Sequence, residues 1–225
     1  MAARIDHLVV AAASLDEGAA WCQATLGVTP GPGGEHPLMG THNRLLRIAT
    51  VDYPRAYLEI IAPQAGRAPQ HGRRWFDLDD DSVRETLARS GPRLLHFVAS
   101  VPDLRAALGK MAALHVDRGE PVAASRMSAR GLLSWQISVR PDGQRLFQGV
   151  LPTLIEWGES HPASAMPESG LTLQSLTLSH PQARTLHSVC DALDLQGVGI
   201  NEGAANLCAM LLTPKGRVRL DSGGL

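Results

Sequence analysis

Two histidines and two glutamates occupy matched places in two stretches of this chain. His7 lies in Arg4-Ile-Asp-His-Leu-Val-Val-Ala11 and Glu59 follows in Tyr57-Leu-Glu-Ile-Ile61, while His96 lies in Arg93-Leu-Leu-His-Phe-Val-Ala-Ser100 and Glu156 follows between Ile155 and Trp157. Imidazole nitrogens and carboxylate oxygens together form a mixed donor set that suits a divalent ion such as Zn, Ni, Co, Mn or Fe(II). Glu59 or Glu156 could also act as a general base, taking a proton from carbon while a metal polarises the adjacent oxygen. The chemistry expected is proton transfer next to a carbonyl. A single His or Glu on an apolar strand reads more simply as a hydrogen-bonded core residue. Repetition of the pair brings metal ligation level with that reading.

A second group of candidates lies between Gly33 and Asn43, where His36, Thr41, His42 and Asn43 accompany two glycines. Such a loop can close over a pocket and hydrogen-bond an oxygenated substrate; a turn would explain the glycines but not both histidines. Trp135 and Trp157 could form a pocket wall, which makes Trp135 a candidate for substrate binding, but core packing is the commoner role for a strand tryptophan and is the favoured reading. The acidic run Asp77 to Asp81 reads as a solvated linker. Cys22 and Cys190, at helix core spacing, read as buried and inert.

The elements that must position these side chains follow from periodicity. Arg4 to Ala11 is a strand; alternation puts His7, Val9 and Ala11 on one face and Leu8 and Val10 on the other, under a helix. Ser14 with Glu17 opens that helix, which runs to Leu26 before Gly27. Strands follow near residues 43–50 and 56–62. After a Pro/Gly/Arg-rich linker and a short helix near 83–89, the pattern restarts at Arg93, with a helix from Pro102-Asp103 to about Leu114 and strands near 132–139 and 153–157. Aligning His7 with His96 also matches Val9 to Val98 and Leu15 to Leu104. A third restart begins at Leu171, with a helix to Leu193 and strands at 206–213 and 217–221, but no matching His or Glu. The fold class expected is α+β, built from βαβββ modules, with residues 1–158 as one domain and 171–225 as a third module. Because such sheets bury one another in pairs, the odd module is expected to pair with that of a second chain, giving a homodimer; the competing arrangement packs it back against the convex helices of the first two modules.

Composition narrows the partners. Lys+Arg 21 against Asp+Glu 22 leaves a net charge of −1, without the basic footprint of nucleic-acid or anionic-membrane binding. Leu8 to Ala13 is too short for a signal peptide, and no segment approaches the apolar length of ~20 residues that spans a bilayer. Three cysteines without CxxC spacing fit a cytoplasmic protein lacking a disulfide framework.

Asp6-His7-Leu-Val-Val, Trp21 with Leu26-Gly27, Gly33-Gly34-Glu-His36, Gly40-Thr-His-Asn43, Tyr57-Leu-Glu59-Ile-Ile and Leu154-Ile-Glu156-Trp157 together resemble the vicinal oxygen chelate superfamily, and more closely its glyoxalase-like domain proteins. The resemblance covers about residues 4 to 157. It implies that the first two modules pair into an open mixed β-barrel with His7, Glu59, His96 and Glu156 at the family's metal position. It further implies a small-molecule ligand, and a metal-dependent lyase or isomerase of the glyoxalase type. The alternatives are a metal-free protein that binds or sequesters a small molecule and, less favoured, an Fe(II)-dependent dioxygenase.

Overall fold

The computed structural model describes residues 2–70, 72–128 and 131–225. The first strand, β1 (Arg4–Ala11), leads into helix α1 (Leu15–Leu26). Ser14 caps α1 by accepting from the Glu17 amide, and Gly27 ends it at φ 79°; that left-handed conformation suits a residue without Cβ. A two-residue strand β2 (Glu35–His36), then β3 (Thr41–Arg47) and β4 (Tyr57–Pro63), complete the first unit. Helix α2 (Asp81–Ser90) precedes the second unit: β5 (Arg93–Ser100), α3 (Leu104–Ala113), β6 (Glu120–Ser128), β7 (Gly131–Val139) and β8 (Thr153–Trp157). The third comprises β9 (Thr172–Ser179), α4 (Ala183–Leu193), β10 (Val198–Asn201), β11 (Asn206–Thr213) and β12 (Gly216–Asp221).

The first two units share one eight-stranded sheet in the order β2-β3-β4-β1-β5-β8-β7-β6. In each unit the first strand pairs in parallel with the last, and β1 and β5 run antiparallel at the centre. The sheet is thus two copies of one motif about a local two-fold axis, curled into a half-barrel. Leu8, Val10, Leu58, Ile60, Phe97 and Leu154 are buried on its convex face under the helices, and Val9, Ala11, Ile61, Leu95, Val98, Ile137 and Ile155 on its concave face. Strand alternation creates the two cores, and the concave one holds the candidate site.

Two features depart from the sequence expectation. The stretch between β4 and β5 is no solvated linker: Trp75, Phe76 and Leu78, with Val83 and Leu87 of α2, are buried in the concave core. Its acidic side chains are engaged, Asp77 by Arg145 at 2.9 Å and Asp79 by Arg74 at 2.6 Å. The third unit keeps the order strand, helix, three strands but not the topology, since its sheet runs β10-β9-β11-β12. Its first strand lies between β10 and β11, whereas the first two units pair first with last. Leu176, Leu178, Leu186, Val189, Leu207, Ala209 and Leu211 join Leu104, Ala107 and Met111 in the convex core, so this sheet buries its apolar face against the helices of the first two units, the competing arrangement to pairing with a second chain.

At Gly18 helix α1 lies close against the sheet, and a Cβ there would lie 2.5 Å from Ile60 Cγ2. Replacing a helix-interior glycine with alanine ordinarily stabilises by about 0.5–1 kcal/mol. Here overpacking dominates, and Gly18→Ala is expected to lower unfolding free energy by about 1–3 kcal/mol in urea titrations. An unchanged or raised midpoint would show that the helix has room to move.

Candidate functional site

A chain of polar side chains crosses the concave face of the first unit. Asp6 is fully buried, and its Oδ1 lies 2.7 Å from His7 Nδ1. Its Oδ2 accepts from Trp157 Nε1 at 2.9 Å and pairs with His161 Nε2 at 3.0 Å. Burial opposes ionisation of Asp6, but the hydrogen bonds from His161 and His7 outweigh it and hold the carboxyl well below the usual range. An ionised Asp6 fixes the His7 tautomer with the proton on Nδ1 and turns Nε2 toward Glu59 Oε2, 3.5 Å away. Tyr57 stacks on the imidazole at 4.5 Å. Glu59 Oε1 accepts from Asn43 Nδ2 at 2.6 Å, and the same nitrogen lies 3.3 Å from His36 Nε2. His36 Nδ1 meets Thr41 Oγ1 at 3.0 Å, and Asn43 Oδ1 accepts from the Gly34 amide at 2.7 Å. Thus His7, Glu59, His36, Thr41 and Asn43 are brought together. His42, one residue out of phase on β3, faces the other side and lines a separate cavity with Ser14 and Asp16.

The second unit is built differently. His96 Nδ1 donates to the Gly149 carbonyl at 2.8 Å, so its Nε2 carries the lone pair and accepts from the Thr153 amide at 3.2 Å. The Thr153 hydroxyl lies 2.8 Å from Nε2 and the buried Arg118 guanidinium 3.5 Å. Arg118 also donates to Thr153 Oγ1 and, at 2.9 Å, to the Pro152 carbonyl. Burial, reinforced by the Arg118 charge, pushes His96 well below its ordinary value. Glu156 lies on the convex side, where its Oε2 accepts from the Leu104 amide at 2.7 Å and caps helix α3.

Register explains this correction. In the first unit Val9 pairs with Glu59; in the second its counterpart Val98 pairs with Thr153. The structural equivalent of Glu59 is therefore Thr153, three residues before the glutamate singled out from the sequence, and an odd offset on a strand reverses the face. The four expected donors do not fit a divalent ion. One carboxylate points away, the His96 lone pair is already used, and a guanidinium adjoins it. Among the described residues no group of three or more His, Cys, Asp or Glu side chains is disposed to hold a metal.

A cavity of about 720 Å³ opens between the β2 turn and strands β6 to β8. Leu38, Met39, Trp75, Trp135 and Ile137 give it an apolar wall, while His36, Ser134 and Gln136 supply polar groups. Trp135 packs against Trp157 with ring centroids 5.5 Å apart, so it is both wall and packing residue. His36, edge-on to Trp75 at 5.0 Å, is the cavity end of the polar chain. Burial, opposed by Glu59 and aided by Arg126, draws its pKa down to about 4, so near neutrality it presents an uncharged ring. Sequence reasoning missed Asp6, Trp75, Arg118 and Thr153. Only Asp6, an acid embedded in an apolar strand next to His7, carried a signal.

The suppressed histidines give a pH dependence. Unfolded imidazoles bind a proton near pH 6.5, whereas folded His36 resists until about 4 and His96 is likewise held well below its ordinary value by burial and the Arg118 charge. Above the unfolded value neither state binds the proton and stability is unaffected. Below it the unfolded chain binds more, so stability falls as pH falls. The slope should approach about 1.4 kcal/mol per pH unit for each such histidine, and Asp6 adds a loss only below about pH 4. Urea unfolding between pH 7 and 5 should show this decline, to which His42 and His180, also drawn down by burial, add, and His96→Gln should make it shallower. An equal slope in that variant would mean that His96 titrates normally when folded.

No curated protein matches the chain. Among solved structures, a hypothetical protein from Staphylococcus aureus is 15% identical with a TM-score of 0.60, covering 99% of this chain and 87% of the other. Methylmalonyl-CoA epimerase from Streptomyces coelicolor, in complex with 2-nitronate-propionyl-CoA, is 20% identical, with 70% and 96% covered and a TM-score of 0.43. The Mycobacterium tuberculosis epimerase is 18% identical, with 72% and 91% covered and a TM-score of 0.36. The family described as glyoxalase-like domain matches residues 5–193, and with the paired half-barrel this chain belongs to that family.

Proposed function

We propose that this protein binds a small molecule with an aromatic or aliphatic body and an oxygenated end, and does so without a metal. The observation that carries the reading is the cavity between Trp75, Met39 and Trp135, with His36 at its inner end. Apolar walls with a few convergent polar groups are the usual make-up of a ligand site. A neutral His36 can exchange hydrogen bonds with a carbonyl or hydroxyl without the cost of burying a charge. Quenching of tryptophan fluorescence by a panel of aromatic ketones and phenols tests this. One or more should bind equally well before and after chelator treatment, and Trp135→Ala should weaken binding about tenfold, or ~1.4 kcal/mol. Binding that requires added Zn, Ni, Co or Mn would overturn it.

An isomerase-type proton transfer is the second reading, favoured by the alignment of Asp6, His7 and Glu59 behind His36. Glu59 would be the base and His7 the group that shares its proton. Its mark would be uptake of solvent deuterium at the carbon next to the carbonyl of a bound ketone. Glu59→Gln should abolish that exchange with little loss of affinity. Persisting exchange would move the base elsewhere.

A further inference from the structure

The edge strands of the half-barrel, β2 and β6, approach each other where Arg126 of β6 reaches the turn before β2. A Cβ built on Gly34 would lie 1.8 Å from Arg126 Nη1 and 2.9 Å from Cζ, so the absence of a side chain there is what admits the guanidinium. Arg126 Nη1 is buried and has no hydrogen-bond partner among the described residues. A buried cationic N–H without an acceptor is unfavourable, and native structures rarely leave one so unless something else binds it. Arg126 also borders a second cavity of about 940 Å³, on the side of the barrel where the connection after β8 folds in. Its walls include Leu45 of β3, Met127 and Leu133 of the β6–β7 hairpin, and Met166 of that connection. Met127 is 74% exposed. Arg47, in the same wall, has the Glu168 carboxylate 3.2 Å from its Nε and donates through Nη1 to the Ala163 carbonyl; its Nε, like Arg126 Nη1, has no hydrogen-bond partner among the described residues, but of the two only Arg47 has a carboxylate within ion-pair distance.

We propose that this second cavity binds an amphipathic monocarboxylate, its carboxylate accepting from Arg126 Nη1 and its aliphatic body lying along Met127, Leu133 and Met166. One guanidinium nitrogen supplies one charge-assisted hydrogen bond, and the apolar lining favours a hydrocarbon chain over a polyanion. The inference is independent of the first cavity.

Isothermal titration of the full chain with octanoate and with 1-octanol separates the charge from the hydrocarbon. Octanoate should bind at least about tenfold more tightly than octanol, and Arg126→Gln should abolish that preference while octanol binding is retained. Trp135→Ala, in the first cavity, should leave octanoate affinity unchanged. Equal affinities for acid and alcohol, no octanoate binding at millimolar concentration, or an undiminished preference in Arg126→Gln would each overturn the proposal. Loss of octanoate binding in Trp135→Ala would overturn it too, by moving the acid to the first cavity. Should Arg126→Gln fail to fold, the wild-type comparison of acid with alcohol decides alone.

Discussion

A carboxylate sealed in the protein interior survives as an anion only if donors surround it, and Asp6 has three. His7 comes from its own strand, Trp157 from the end of β8, and His161 from the connection that follows. Without them the desolvated charge would be strongly unfavourable. With them it ties the first unit, the last strand of the second and the connecting segment at one point. The same bond fixes the imidazole of His7, and through it the relation to Glu59, Asn43 and His36. The polar chain across the concave face is thus as much an architectural fixture as a chemical one.

The two halves share a backbone plan but have diverged in chemistry. Where the first sets Glu59 beside His7, the second sets Thr153 beside His96 and adds Arg118. A hydroxyl is a poor substitute for a carboxylate in a divalent-ion site, and a guanidinium repels the ion outright. Phe76, its ring 5.1 Å from His96, occupies part of the concave space. The space left open lies toward the β2 turn and the outer strands β6 and β7, where aromatic and aliphatic side chains wall a cavity.

Much of this was legible from local patterns. Ser14 with Glu17 and Gly27 located α1 to the residue, and alternation in β1 sorted Leu8 and Val10 from Val9 and Ala11 correctly. Sequence alone failed where the information is not local. The face of Glu156 depends on register against β5, and a shift of three residues in the repeat alignment reversed it. Arg118 lies in a loop with no periodicity, so nothing marked it as buried beside His96. Trp75 and Phe76 sit in a segment whose acidic, proline-rich and glycine-rich composition resembles a solvated linker; their burial follows from the empty concave face that a curled sheet presents. Strand β6, rich in alanine and serine, has Val122 as its one β-branched residue and no aromatic to announce a strand, and β10 is only four residues long.

The addition of Arg118 beside His96 also gives the half-barrel an electrical direction. The ionised Asp6 lies in the first unit and the buried Arg118, its pKa near 10 through burial, in the second. Two units related by a local two-fold axis would, if chemically identical, present the same potential from either side. This pair breaks that equivalence, and in an interior of low dielectric the resulting field is little attenuated. A dipole placed between the halves would therefore have one orientation favoured over the reverse, so an architecture of two repeated units is not symmetric in its field.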